Sequence, residues 1–439
     1  MKSPLNGTHQ HRRMVGTGDQ ALVREINLSL VLNTLRDHSP LSRASLATRT
    51  DLNKTTISSL VRQLVAAGFV SEIGSGRTEE LGRPGMLLDL DPKAGCIVGV
   101  EIGVDFISVI ITDFAAQIVW RRRASTSLEQ GQDSVIRQTI EIVKDGIAQT
   151  QHESRRVLGM GLGVPGLVDI SSGTLLFAPN LGWSNVPFHA LLQDAFDFPI
   201  YVDNEANMAA LGESYFGVAR GAHSVLYVSA GVGLGGGIVL NGELMPGATG
   251  LTGEIGHITM RPDGLPCNCG NRGCWETLVS QSALFRRIRD AVHAGACSTL
   301  CEVTGGDLTA LTVPLVVEAA KLGDAVALAA LADTAVDLGV GIANLVNVLN
   351  PDVVVFGGML SLASEYLMPI VERVIGEHAL KWSVAPMRLQ VAAHGSDAAV
   401  MGGIAAVYHR VLSQPSESMR NVARTSAGEP RHGVPVPTG

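Results

Sequence analysis

The stretch "GHITMRPDGLPCNCGNRGCWE", residues 256–276, places one histidine and three cysteines in a loop-rich segment of a chain with only six cysteines among 439 residues. His257, Cys267, Cys269 and Cys274 offer one imidazole and three thiols, the donor set that Zn2+ takes in closed tetrahedral structural sites. Interleaved glycines allow the tight turns that such a cage needs. A free-thiol loop and a disulfide pair are the competing readings. Six cysteines in so long a chain make no disulfide scaffold, and no charged, apolar, small-residue pattern marks a secretory signal. A reducing, cytoplasmic setting and a structural Zn2+ are therefore expected. With four protein donors the ion has no open position for catalysis, so its expected task is to hold His257 and Glu276 in place for a ligand. Cys96, Cys297 and Cys301 read as ordinary thiols.

Outward from this loop the chain alternates strand-like and helix-like runs. Upstream, "CIVGVEIGVDFISVIITD" reads as two strands, "AQIVWRRRAS" as a third, "DSVIRQTIEIVKDGIAQTQ" as a helix and "VLGMGLGVPGLVD" as a strand again. The later part repeats the pattern: the glycine-turn hairpin "SVLYVSAGVGLGGGIVLNGELM", a long helical stretch to "NVLN", the strand "DVVVFGG" and the helix "MGGIAAVYHRVL". Two α/β lobes follow from the repetition. The chain is longer than one core usually serves, and its apolar runs, broken by glycine, fall short of the ~18 residues of a membrane helix, so several domains and no membrane partner are expected.

Charge divides the chain unevenly. Residues 1–85 hold 11 Lys and Arg against 7 Asp and Glu, whereas the whole chain carries a net −8. Any nucleic-acid partner is expected to meet the front end. After a tail over residues 1 to about 20, "REINLSLVLNTLRDHSPLS" places Ile26, Leu28, Leu30, Val31, Leu32 and Leu35 on a helix ended by Ser39-Pro40. Ser42 can cap a short helix, "RASLATRT", and Asn53 a third, "NKTTISSLVRQLVAAGF". In that third helix Ile57, Leu60, Val61, Leu64 and Val65 share one face, and Gly68 ends it. The opposite face carries Lys54, Thr55, Thr56, Ser58, Ser59, Arg62 and Gln63, donors suited to phosphate oxygens and base edges. "FVSEIGSGRTEELGRPGMLLDLD" then reads as a β-hairpin wing with Arg77 and Arg83 on its excursion. Residues 21–90 are thus expected to form a winged helix-turn-helix that binds double-stranded DNA, although the same packing also occurs in protein-interaction modules.

Several ordered motifs together carry a resemblance. The "VPG" loop, the turn "GVGLGGG", the run "GEIGH", the cage "CNCGNRGCWE" and "NPDVVVFGG" resemble the ROK family of repressors and sugar kinases over about residues 85–412, and a winged helix in front is the layout of its repressor branch. The resemblance implies an N-terminal winged helix-turn-helix followed by a two-lobed, actin-like and hexokinase-like α/β body with a cleft. It implies zinc on the four cage residues. It also implies sugar contacts by Gly166, Asn180, Asn204, Glu205, Glu254, His257 and Glu276. The expected domains are a ROK body over residues 91–412, with lobes 91–205 plus 395–412 and 206–394, and a disordered, Pro- and Ser-rich tail over 413–439.

The catalytic positions depart from the family's kinases. Glu205 stands where they carry Asp, and its extra methylene displaces the carboxylate by about one bond length. "Glu101-Ile102-Gly103-Val104-Asp105-Phe106" lacks most of the kinase phosphate-loop pattern, and Val232 replaces a threonine hydroxyl. Phosphoryl transfer depends on positioning and charge neutralisation, so an emptied nucleotide site is expected. The chain therefore reads as a sugar-responsive regulator, a repressor of carbohydrate-utilisation genes, not an enzyme, working as a homodimer or homotetramer. DNA contacts are expected from Lys54, Thr55, Thr56, Ser58, Ser59, Arg62 and Arg83. An ATP-dependent sugar kinase with an added DNA-binding domain is the alternative, and a zinc-sensing regulator a third reading.

Overall fold

The computed structural model describes residues 20–76, 85–150 and 156–426. The expectations for the N-terminal tail before residue 20, for Arg77 and Arg83, and for residues 427–439 lie outside the described residues. The chain forms two compact units, one from the N-terminal part to Asp91 with the segment from Arg410 onward, the other from Pro92 to His409.

In the first unit three helices, Gln20–His38, Arg43–Thr50 and Lys54–Ala66, precede an antiparallel pair, Val70–Gly76 and Gly85–Leu90, with the short strand Leu41–Ser42 on its edge. Local chemistry sets the boundaries. The Ser42 hydroxyl accepts from Ser45 N at 3.1 Å, and Asn53 Oδ1 accepts from Thr56 N at 2.8 Å, each satisfying an otherwise orphaned amide. Leu28, Val31, Leu32, Leu35, Leu46, Ile57, Leu60, Val61 and Leu64 form the core. Of the apolar residues that the sequence places on the first helix, two are on its surface: Ile26 is 57% exposed and Leu30 39%. The stripe that packs follows Leu28, Val31, Leu32 and Leu35, the i, i+3, i+4, i+7 positions, and Ile26 and Leu30 fall off it.

The C-terminal segment departs from expectation more sharply. Residues Pro415–Ser426 are a helix, not disordered chain. Proline at the first helical position favours initiation, because its missing N–H would have had no partner there. Pro415 is buried, Ser416 N donates to Glu25 Oε1 at 2.9 Å, and Gln63 Nε2 lies 3.8 Å from Met419 Sδ. A fourth helix thus packs on the first and touches the third, a long-range contact that local composition could not reveal.

The second unit holds two five-stranded sheets with one shared order. In the first, Ile118–Ser125, Phe106–Asp113 and Cys96–Ile102 run antiparallel in turn, then Val157–Val164 and Ile200–Asn204 follow in parallel. In the second, Glu243–Leu244, Leu234–Leu240 and Ser224–Ala230 are the antiparallel partners, and Val353–Gly357 and Arg388–Val391 the parallel ones. The helix Ala398–Ser413 packs on the first sheet through small residues: a Cβ at Gly161 would collide with the backbone of Gly403, and one at Gly99 with Val400 O. The helix Glu205–Tyr215 starts at the end of the first sheet and lies against the second, where Ala206 and Ala210 meet Gly235 and Gly237. The helix Ala325–Leu349 is long and apolar enough to cross a membrane, but Leu338, Ile342 and Val346 are buried in the second lobe's core, and Gly339 meets Val374 of the helix Ser364–His378.

Candidate functional site

The four cage residues converge. One ligand atom from each of His257, Cys267, Cys269 and Cys274 lies within 4.8 Å of every other. Cys267 Sγ is 3.7 Å from His257 Nδ1, and Cys269 Sγ is 3.7 Å from Cys274 Sγ. Four bonds of ~2.3 Å around a tetrahedral centre place sulfurs roughly 3.7 to 3.8 Å apart. A disulfide would need sulfurs at ~2.05 Å. The donors present therefore fit a bound metal ion and exclude the disulfide reading in this structure.

The loop is closed by backbone bonds at two levels: Cys267 N donates to Asn271 O at 2.8 Å, and Met260 N to Gly273 O at 2.8 Å. Gly273, at φ 65°, brings its Cα against Arg261 O, and any Cβ there would overlap that oxygen. Trp275, fully buried, donates from its indole Nε1 to Asp337 O at 3.0 Å and sits where Gly341 leaves room, so the cage is anchored to the helix Ala325–Leu349. Trp275 was not among the expected functional residues; its lone signal is its place between Cys274 and Glu276.

The polar residues expected around a sugar fall along one path. Asn204 Nδ2 donates to Gly166 O at 2.8 Å, while its Oδ1 accepts from Ala206 N at 2.7 Å and caps the helix that Glu205 begins. Gly166, at φ 112°, passes so close to Phe177 O that a side chain would clash. Glu276 Oε2 accepts from Leu234 N at 3.0 Å, and Gly233 lies between that carboxylate and the Asn180 amide: a Cβ there would be 2.6 Å from the former and 3.6 Å from the latter. His257 faces two ways, with Nδ1 toward Cys267 and Nε2 3.8 Å from Glu254 Oε2. One imidazole can thus serve a metal on one side and a carboxylate on the other. Glu276 Oε1 lies 3.7 Å from Cys267 Sγ, so the cage and this carboxylate share an edge.

Electrostatics mark the centre of the path. Glu205 Oε2 is buried with no hydrogen-bond partner among the described residues. Burial pushes its carboxyl up to about 8, and the charges of Glu101, Glu254 and Asp203 push the same way. Glu101, at the end of Cys96–Ile102, has the same signature, an unpartnered Oε2 and a carboxyl raised by burial to about 8. Burial also lifts Asp203 to about 6, against hydrogen bonds from Asn207 and from Asn204 N. Buried oxygens without partners are uncommon in native proteins, and a bound ligand or water would satisfy them. Glu101, which the sequence marks only as a remnant of a phosphate loop, belongs to this group.

These raised carboxyls predict a pH dependence in the absence of ligand. Below 4.5 Glu205 is protonated folded and unfolded alike, and above about 8 it is ionised in both states, so its burial cost accumulates between them. Thermal stability should therefore fall as pH rises through that window. Glu205→Gln, unable to ionise, should flatten the fall, leaving the share that Glu101 contributes; melting curves across the window that stay parallel for both proteins would contradict this.

In the head, the recognition face is partly as expected. Lys54, Thr55, Ser59 and Arg62 are exposed, and Thr56 and Ser58 are half-buried. The Ser58 hydroxyl donates to Lys54 O at 2.8 Å, and Gln63 Oε1 accepts from Arg24 Nε at 3.0 Å, so both of these groups are already engaged. Arg62 has no ion-pair partner among the described residues.

A three-helix reading head with a hairpin wing, carried on a two-lobed, actin-like body, defines a class: DNA-binding regulators built on the sugar-kinase fold. Residues 97–410 match the ROK family, and residues 24–71 match a winged helix-turn-helix DNA-binding family. The chain belongs to the ROK family. It is 36% identical over 398 residues to a putative xylose repressor of Caldicellulosiruptor sp. (strain Rt8B.4), spanning 91% of this chain and 99% of that protein. Among solved structures, a ROK family transcriptional regulator, a homologue of the E. coli MLC protein, matches with a TM-score of 0.78 and 24% identity over 91% of this chain and 99% of its own, which supports the fold. A ROK family glucokinase from Streptomyces griseus, in complex with glucose and AMPPNP, matches with a TM-score of 0.61 and 30% identity over 71% and 98%.

Proposed function

We propose that this protein is a sugar-responsive repressor: the head binds an operator, and a monosaccharide in the body changes operator affinity. The observation that carries the sugar half is the buried, unpartnered Glu205 Oε2, set on a path with Asn204, Glu254 and His257. A neutral carboxyl at that position both donates to and accepts from sugar hydroxyls, and a site built this way rejects analogues that lack the hydroxyl. Gly166, Asn180 and Glu276 complete the proposed contacts. Xylose is the first sugar to test, given the repressors among the relatives. A thermal-shift screen of sugars with and without ATP tests the site directly, since stabilisation follows from affinity. One sugar should stabilise the protein saturably, and ATP should add nothing.

His257, Cys267, Cys269 and Cys274 are proposed to hold zinc in a closed, structural site. The ion supplies rigidity: it fixes the His257 ring and the loop that ends at Glu276. DNA contacts are proposed for Lys54, Thr55, Thr56, Ser58, Ser59 and Arg62, with Arg83 of the wing on phosphate, in a two-fold assembly of chains on two half-sites. Arg62→Ala should weaken operator binding by roughly 1–3 kcal/mol if its guanidinium reads a base edge. Sugar binding, read by calorimetry, should be unchanged; equal loss of both would contradict the assignment.

The kinase reading has one point in its favour, the likeness to the glucokinase. Against it stand Glu205 in place of Asp, the altered loop from Glu101, and Val232. A coupled ADP-release assay decides: turnover lost in Glu205→Gln would establish a kinase.

A further inference from the structure

A cavity of about 520 Å3, lined by none of the proposed sugar contacts, opens between the helices Gln281–His293 and Ala325–Leu349 and the loop that bears Arg261. Its size is within the range of small-molecule sites. Arg261, Arg286 and Arg287 line it, together with Asp333, Asp337 and Leu265. Asp337 is shared by two of the arginines, 3.1 Å from Arg261 and 2.5 Å from Arg287. Arg287 is further engaged by Leu278 O at 2.6 Å and the Thr334 hydroxyl at 3.0 Å.

Arg286 is different. Its Nη2 donates to Thr277 O at 2.7 Å, and no carboxylate lies within ion-pair distance of it among the described residues. It is half-buried, and burial pulls its guanidinium below the ordinary range, with Arg287 and Arg289 pushing the same way and Asp290 opposing them. A half-buried, unpaired cation is costly to keep. An anion in the cavity would remove that cost.

We propose that this cavity binds a small phosphomonoester, with its phosphate between Arg286 on the floor and Arg261 at the mouth. The two guanidinia come from different elements, a helix and a loop, so a tetrahedral anion, whose oxygens point in several directions, suits them better than a planar carboxylate. The cavity exceeds the size of a phosphate group, and Asp333 at its rim can accept hydrogen bonds from hydroxyls on the rest of the ligand. The site is wired to the sugar path. Arg286 and Arg287 hold the carbonyls of Thr277 and Leu278, which directly follow Glu276, and Arg261 sits on the loop that closes over Gly273. An anion that draws Arg286 from Thr277 O would be felt at Glu276.

The test is thermal shift and calorimetry on the full chain with glycerol 3-phosphate and with inorganic phosphate, against glycerol and against sodium chloride at matched ionic strength. Glycerol 3-phosphate should bind saturably and more tightly than inorganic phosphate; inorganic phosphate binding equally well would contradict a site for the whole monoester. Arg286→Gln should weaken binding roughly ten- to hundredfold without lowering the melting temperature of the ligand-free protein. Arg261→Gln, at an exposed position, should weaken it too. A shift reproduced by chloride, or one that survives in both arginine variants, overturns the proposal.

Discussion

Cys274→Ser should remove the metal and abolish sugar binding together. Cys274 is fully buried beside Cys269, and the residue after it, Trp275, anchors the loop to the helix Ala325–Leu349. Without the ion, three ligands remain in a cage held by loop backbone bonds such as Cys267 N to Asn271 O and Met260 N to Gly273 O, with only the isolated bridges Thr259 to Cys274 and Pro266 to Arg272 in place of regular strands. Structural zinc contributes on the order of 10 kcal/mol to folding in small finger peptides, so its loss from a loop without regular strands is expected to be large. His257 and Glu276 then lose their fixed positions, and a ligand would have to order them as it binds. Metal content by emission spectroscopy and sugar binding by calorimetry check the two halves. A variant that loses zinc but keeps sugar affinity would show that the ion stabilises the fold without preparing the site. Retention of full metal occupancy would contradict the ligand set.

Truncation after Gln414 should cost the head most of its operator affinity while sparing the sugar site. The helix Pro415–Ser426 buries Pro415, pairs with Glu25 through Ser416 N and reaches Gln63 of the recognition helix through Met419. Burying an apolar side chain contributes roughly 1.5–3 kcal/mol, so losing the contacts of Pro415 and half-buried Met419 costs on that order. In a domain this small a loss of about 2 kcal/mol lowers the melting temperature on the order of 10 °C. The helix also follows Ala398–Ser413 in the chain, whose small residues pack on the sheet that carries Glu101. Unaltered operator binding by the truncated protein would mean that the contacts at Glu25 and Gln63 carry neither stability nor signal.

What could be read from the sequence was what local chemistry decides. Of the expected stripe Ile57, Leu60, Val61, Leu64 and Val65, the first four are buried and Val65, at its edge, is exposed; Ser42 and Asn53 are the caps, and the four cage donors meet. Each depends on residues close in the chain or on a donor set of narrow chemistry. Long-range packing was not legible. The sequence places six apolar residues on the first helix, yet which of them pack, Leu28, Val31, Leu32 and Leu35 but not Ile26 and Leu30, is set by partner helices. The segment after residue 413 looked like tail by composition, yet it folds against Glu25 and Gln63, some 350 to 390 residues distant. Glu101 and Glu205 could be named from motifs, but their common burial, and hence their raised carboxyls, depends on parallel pairing that sets Glu101 opposite Gly163, with Glu205 beside it. Ser58 belonged to the polar face by spacing, while its hydroxyl turns back to Lys54 O, as short hydroxyl side chains in helices often do.

The most direct measurement is fluorescence anisotropy of a duplex from the protein's own upstream DNA, titrated with the protein at moderate salt and then with a panel of sugars, alongside an assay for ADP in the presence of ATP. The account predicts tight, salt-sensitive binding to that duplex, an operator affinity that one sugar changes by roughly 30- to 150-fold, and no ADP. Indifference of the DNA complex to every sugar, together with phosphorylation of one of them at an ordinary metabolic rate, would contradict it.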